Sequence, residues 1–303
     1  MNIVEKITQK LLEQDKWRIG VINTDIATIV NGEIEPQVVR WLDLSGYDYE
    51  ADPFVFKLDG KHYIAYEVFD YLHGNGKLEC IDLNGQRYDF FNELNRVKGH
   101  KSFPFMIEFN GELYCVPETL DLNEISLYKF NRQERCFKKE SVILSGAQYN
   151  DSCIKEVEGK YYLFTSIASA PFEQLLFCSE QLFGPYFSHP QSPIADSLNV
   201  GRNGGGILDN KDEMYRVTQD CEFTYGGKVN LVRIDTISPT EYKESFVKDI
   251  KPIVPFPDGL HTLSYCDGIA VIDGKVTLRK GVNVFRKTVF KVMKALNVER
   301  LFS

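Results

Sequence analysis

A chain of 303 residues, 43% hydrophobic and 26% charged, can bury a large core, and all-β folds of this length still occur as one domain. The net charge of −8, with no basic cluster before the last thirty residues, excludes a general nucleic-acid binder, because phosphate contacts need grouped Lys and Arg. Sixteen Tyr and 21 Phe bring the aromatic share to 13% and favour strands.

The N-terminal run "MNIVEKITQKLLEQDKW" is charged throughout, lacks the apolar core of a signal peptide, and reads as a short amphipathic helix over residues 1–15. No run approaches the roughly 18 apolar residues that a membrane span requires, so the expected location is cytoplasmic, at most peripheral to the inner membrane surface. The seven cysteines lie far apart with no CxxC pair and read as buried thiols in a reducing compartment. "KWRIGVINTDIATIV" (16–30) then supplies a strand ahead of the first repeat.

That repeat is "ADPFVFKLDGKHYIAYE" (51–67): a strand, an Asp-Gly turn and a second strand. It returns as "FPFMIEFNGELYCVPE" (103–118), "DSCIKEVEGKYYLFTS" (151–166) and "GGILDNKDEMYRVTQD" (205–220), with a looser fifth copy, "HTLSYCDGIAVIDGKVTL", from His261. A tyrosine three residues past the turn recurs at Tyr63, Tyr114, Tyr162 and Tyr215, at spacings of 51, 48 and 53 residues. A period near 50 with hairpin punctuation predicts an all-β five-bladed propeller spanning 1–281. Closing the ring hides strand edges, and the 16–30 segment can provide the outer strand of the last blade. A β-sandwich with chance hairpin similarity is the alternative.

Hairpin geometry brings the start of each repeat back beside its end. Asp52 therefore meets Glu67, Ser102 meets Glu118, Asp151 meets Ser166, and Arg202 with Asn203 meets Asp220, while His261 opens the fifth inner strand at the same mouth. Carboxylates ringed by aromatic walls are what a sugar site requires. Blander readings exist: Asp52 before Pro53 also suits a turn, and the tyrosines suit packing between blades. The histidines show no H-x-x-x-H spacing, so no metal site and no cofactor are expected.

"ADPF" with the later "NDS", on five hairpin repeats, resembles the propellers of the glycoside hydrolase clan that includes arabinanases, xylosidases and invertases. "KWRIGV", "SFPFMIEFNGELYCVPET", "LFGPYFSHPQSP", "GRNGGGI" and "GLHTL" resemble more closely the N-terminal propeller domain of glucosamine inositolphosphorylceramide transferases. The clan resemblance implies Asp52 as general base or nucleophile and Asp151 as the carboxylate that orients the acid. It also implies, in some members, a structural cation near a central histidine, here His261. Where the clan has its acidic glutamate this chain has Arg202 and Asn203. A permanently charged arginine cannot donate that proton, so Glu118 or Glu67 would have to, after burial raised its pKa. A guanidinium instead favours a carboxylate or phosphate on the ligand: an acidic sugar or nucleotide sugar rather than a neutral pentose.

After Gly281, "VNVFRKTVFKVMKALNVERLFS" (282–303) is basic with apolar residues at helical spacing, and predicts an amphipathic helix that either clamps the propeller or contacts membrane through 284–302. The sequence thus points to a carbohydrate-active protein of surface-glycan or glycolipid biosynthesis. Its catalytic candidates are Asp52, Asp151, Glu118 and Glu67; its ligand-binding candidates are Arg202, Asn203, Asp220, His261 and Ser102. The partner is a sugar, a nucleotide sugar or a lipid-linked glycan. A glycosyltransferase or glycoside hydrolase-like enzyme and a noncatalytic glycan-binding scaffold serving a partner glycosyltransferase or formyltransferase are the two readings.

Overall fold

The computed structural model describes residues 13–44, 48–69 and 74–279. Strand β1 (Glu13–Asn23) and the short β2 (Arg40–Trp41) come first, joined through a one-and-a-half-turn helix, Ile26–Asn31, that Asp25 caps by accepting from the Thr28 N–H. Four blades follow in order. The first holds β3 (Tyr49–Leu58), β4 (Lys61–Phe69), β5 (Lys77–Asp82) and β6 (Arg87–Tyr88); the second holds β7 (Ser102–Phe109), β8 (Glu112–Glu118), β9 (Glu124–Asn131) and β10 (Cys136–Ser145). The third holds β11 (Tyr149–Val157), β12 (Lys160–Ile167), β13 (Ala170–Ser179), β14 (Phe187–Ser188) and β15 (Ala195–Asp196). The fourth holds β16 (Asn203–Asn210), β17 (Glu213–Asp220), β18 (Lys228–Ile237) and β19 (Tyr242–Ile250).

The fifth blade is shared by both ends of the described chain. β20 (Leu263–Cys266) and β21 (Ile269–Arg279) form its inner half, and β1 pairs antiparallel with β21 from Glu13↔Arg279 to Asn23↔Ile269, so its outer half comes from the N-terminal side. The ring is closed: β3 contacts β7, β7 contacts β11, β11 contacts β16, β16 contacts β20, and β20 returns to β3. The five-bladed propeller and its closing strand are as expected from the repeats. The N-terminal helix expected over 1–15 falls mainly on residues outside the described ones, and Glu13–Asp15 already belong to β1. The C-terminal helix expected over 282–303 lies outside the described residues altogether.

Four of the five blade hairpins are built by the same local chemistry. Asp59-Gly60, Asn110-Gly111, Glu158-Gly159 and Asp267-Gly268 all carry positive φ at both positions, the pair of left-handed residues that a tight two-residue hairpin needs. The four register tyrosines are buried to within 5% exposure and sit in the clusters between sheets, which assigns them to packing. The inner strands also share an irregularity at the end away from the turns. A bulge lies between Ala51 and Phe54, Ser102 and Phe105, Asn150 and Cys153, and Asn203 and Ile207. In three of them the bulge holds a non-glycine residue at positive φ: Asp52, Phe103 and Asp151. The turn end of the channel opens into a cavity of about 540 Å³ lined by Phe105, Phe109, Tyr161 and Tyr265 among others. Among the described residues no helix is long and apolar enough to cross a membrane.

Candidate functional site

The bulges determine what faces the channel. Asp52 and Asp151, turned out of the strand ladder by their left-handed backbone, are buried at 6% and 2% exposure, and the ends of the second strands bring Glu67 and Glu118 beside them. Asp52 accepts hydrogen bonds from the Thr262 hydroxyl at 2.9 Å and the Phe103 N–H at 3.3 Å, while its own N–H donates to Asp273 Oδ2 at 3.2 Å. Glu118 accepts from the Ser102 hydroxyl at 2.9 Å and from the Asp151 N–H at 3.0 Å. Ser102 therefore positions Glu118.

His100 holds Glu67 on the opposite flank. Its Nδ1 accepts from the Gly76 N–H at 2.9 Å, which leaves Nε2 to carry the ring proton toward Glu67 Oε1, 3.3 Å away. Burial lowers the His100 pKa despite the carboxylates around it, so the ring is neutral at pH 7. The same burial acts the other way on the acids. It raises Glu67 well above the ordinary range, with Asp52, Glu118 and Asp151 adding repulsion. It raises Glu118 against the pull of Arg202, and Asp52 against that of His261. Asp151 rises to about 6 even beside Arg202.

Arg202 donates through Nε to Asp151 Oδ2, which also accepts from Gln219 Nε2 at 3.1 Å. Among the described residues its two terminal guanidinium nitrogens have no hydrogen-bond partner, and the side chain keeps 15% of its surface exposed beneath the Tyr225 ring, 5.6 Å away. Asn203, expected to bind ligand, donates instead to the carbonyls of Asp151 at 2.7 Å and Phe164 at 3.1 Å, so it ties blade 4 to blade 3; its Oδ1 is buried without a partner, as is Gln219 Oε1. The glycines that follow serve close approach between blades: a Cβ on Gly205 would lie 2.1 Å from the Leu263 carbonyl oxygen. Asp220 turns toward the outer strands, where Lys228 Nζ at 3.6 Å and Asn230 Nδ2 at 3.5 Å approach its carboxylate.

His261 stacks on Trp17 with ring centroids 4.0 Å apart and lies nearly perpendicular to the Tyr225 ring, centroids 5.5 Å apart. Its Nδ1 lies 2.5 Å from Asp273 Oδ2 and its Nε2 lies 3.7 Å from Asp52 Oδ1. Burial alone would depress its pKa; the Asp273 and Asp52 carboxylates overcome that and raise it. Asp273 was missed in the sequence because "AVIDGKV" offers a second Asp-Gly turn signal, yet β21 runs straight through it. Asp52, His261 and Asp273 offer ligand atoms all within 4.8 Å of one another.

With this geometry in place, residues 43–251 match the family described as "Glucosamine inositolphosphorylceramide transferase 1, N-terminal". The chain belongs to this family. It is 30% identical over 204 residues to the glucosamine inositolphosphorylceramide transferase 1 of Arabidopsis thaliana, covering 64% of this chain and 26% of that protein. It is 28% identical over 207 residues to the protein of the same name from Oryza sativa subsp. japonica, covering 65% and 28% respectively. The chain thus spans little more than a quarter of the length of these relatives. Among solved structures, an α-L-arabinofuranosidase from Podospora anserina in complex with cellotriose superposes with a TM-score of 0.54 at 9% identity, over 71% of this chain and 75% of that one, a likeness of fold. The family match covers the first four blades and therefore Asp52, Asp151 and Arg202, and stops short of His261 and Asp273.

Proposed function

We propose that the mouth of this propeller binds a sugar carrying an anionic group, a phosphate or a carboxylate, in the service of glycolipid or surface-glycan assembly. The observation that carries this reading is Arg202: largely buried, fixed through Nε by Asp151, with its two terminal nitrogens unengaged among the described residues. Buried carboxyls with raised pKa values can donate to as well as accept from sugar hydroxyls, and Tyr225 offers a ring face beside them. The family supports the ligand class, since the name of the relatives joins a sugar, glucosamine, to a phosphoryl-bearing lipid.

Catalysis at the same mouth is the second reading, favoured by one pairing: Glu67, whose pKa burial raises well above the ordinary carboxyl value, shares the cluster with Asp52, the base that the clan resemblance implies. Calorimetric titration of the wild-type chain with glucosamine 1-phosphate, a nucleotide sugar, a uronic acid and glucosamine tests the proposal. Binding of the anionic ligands well above that of glucosamine is expected; equal binding of all four, or binding of none, would refute it. Turnover of any bound ligand, abolished by Asp52→Asn, would establish the catalytic reading.

A further inference from the structure

The turn end of the ring, opposite the acidic mouth, holds a second group of metal-type donors. His62 sits on β4 directly across the ladder from Lys57, just past the blade 1 hairpin. Cys266 ends β20, and Asp267 follows it in the blade 5 hairpin with φ of 43°. The ring places these two hairpins side by side although 204 residues separate His62 from Cys266 in the chain. One ligand atom from each of His62, Cys266 and Asp267 lies within 4.8 Å of the other two.

A second, independent observation points the same way. His62 Nε2 is buried and has no hydrogen-bond partner, an unusual state for an imidazole nitrogen and one that a bound ion would relieve. From these residues we propose a zinc site in which the His62 imidazole, the Cys266 thiolate and an Asp267 oxygen bind the metal and water takes the fourth position. Zinc bonds of about 2.0–2.3 Å place tetrahedral ligand atoms roughly 3.3–3.8 Å apart, so donors within 4.8 Å of one another need close by at most about 1–1.5 Å. A thiolate with an imidazole selects zinc over magnesium or calcium, which prefer all-oxygen shells.

The ion pair between Lys57 Nζ and Asp267 Oδ2, 2.9 Å, is the competing interaction. Both partners are mostly exposed, so it holds the carboxylate weakly, and Oδ1 remains for the metal. A zinc ion here would join the first blade to the last across their hairpin ends, adding a second closure to the ring beside the pairing of β1 with β21. The ligands come from opposite ends of the chain, so no local His or Cys spacing marks the site.

Cobalt titration of the full chain after chelator treatment tests this site without any assumption about the sugar. One cobalt per chain is expected, with a thiolate-to-cobalt charge-transfer band that stoichiometric zinc abolishes. Cys266→Ser removes the band, His62→Ala weakens zinc by about tenfold or more, and Asp52→Asn leaves both unchanged, which separates this site from the sulfur-free cluster at the mouth. Should either ligand variant fail to fold, alkylation of Cys266 in the wild-type chain, slowed by zinc, gives the same reading. A folded wild type without the band, or a band that survives Cys266→Ser, would overturn the proposal.

Discussion

Glu67 shows how burial at single residues sets the behaviour of the mouth. Its pKa is raised well above the free value by burial first and by neighbouring carboxylates second, and Asp52, Glu118 and Asp151 shift in the same direction. A carboxyl whose folded pKa is raised stabilises the fold in its protonated form. For Asp151 that contribution is complete below 3.8 and is lost as pH rises through about 6. His261, raised above 6.5, adds stability that is likewise lost on the alkaline side. Outer carboxylates with lowered pKa values, Asp82, Asp235 and Asp249, lose their contribution as pH falls below 3.8. The melting temperature is therefore expected to peak in mildly acidic buffer and decline toward pH 8. Glu67→Gln removes one charge that alkaline pH forces into the cluster, and should raise the melting temperature at pH 8 by a few degrees while leaving it nearly unchanged at pH 4.5. A lower value for the variant at pH 8 would show that the Glu67 carboxylate is stabilised by His100 as an ion pair.

The hairpins were the most legible elements, because Asp-Gly and Asn-Gly turns and the register tyrosines follow from turn chemistry and strand periodicity. The bulges were not. Asp52 before Pro53 suits a turn as well as a catalytic role, yet the bulge and the positive φ that lift its carboxylate out of the ladder are not demanded by anything in the local sequence. Asp220 stands at the end of the blade that counting residues gives it, and there its carboxylate meets Lys228 on the next strand. The hairpin chemistry itself is testable at Gly159, where φ is 77° and an added Cβ would meet nothing within 4 Å. Gly159→Ala should cost about 1–2 kcal/mol from backbone strain alone, and Gly159→Asn less, in urea unfolding of the two variants beside wild type. An alanine variant as stable as wild type would mean that this turn relaxes to another conformation.

Across the whole molecule, closure and site are one construction. β1 seals the last blade along its full length, and the same strand carries Trp17, whose ring supports His261 from behind. Closure was readable because the repeats leave one blade short at the C-terminal side. The pairing of Arg202 with Asp151 was open in the sequence, since a guanidinium at that position serves a ligand or a neighbouring acid equally well. Removing residues 1–30 should expose the β21 edge and release His261, giving aggregation in light scattering. A soluble truncated chain with cooperative unfolding would count against the shared blade.

Arg202 bears the central claim, and the most direct measurement is calorimetric titration of wild type and Arg202→Ala with glucosamine 1-phosphate and with glucosamine, each chain's melting temperature being taken alongside. The variant is expected to lose about 2–3 kcal/mol of affinity for the phosphate-bearing sugar, the scale of a charge-assisted pair, and to bind glucosamine as wild type does. Equal losses for both ligands, or no loss of either with a lowered melting temperature, would contradict the account and leave Arg202 as the structural partner of Asp151 alone.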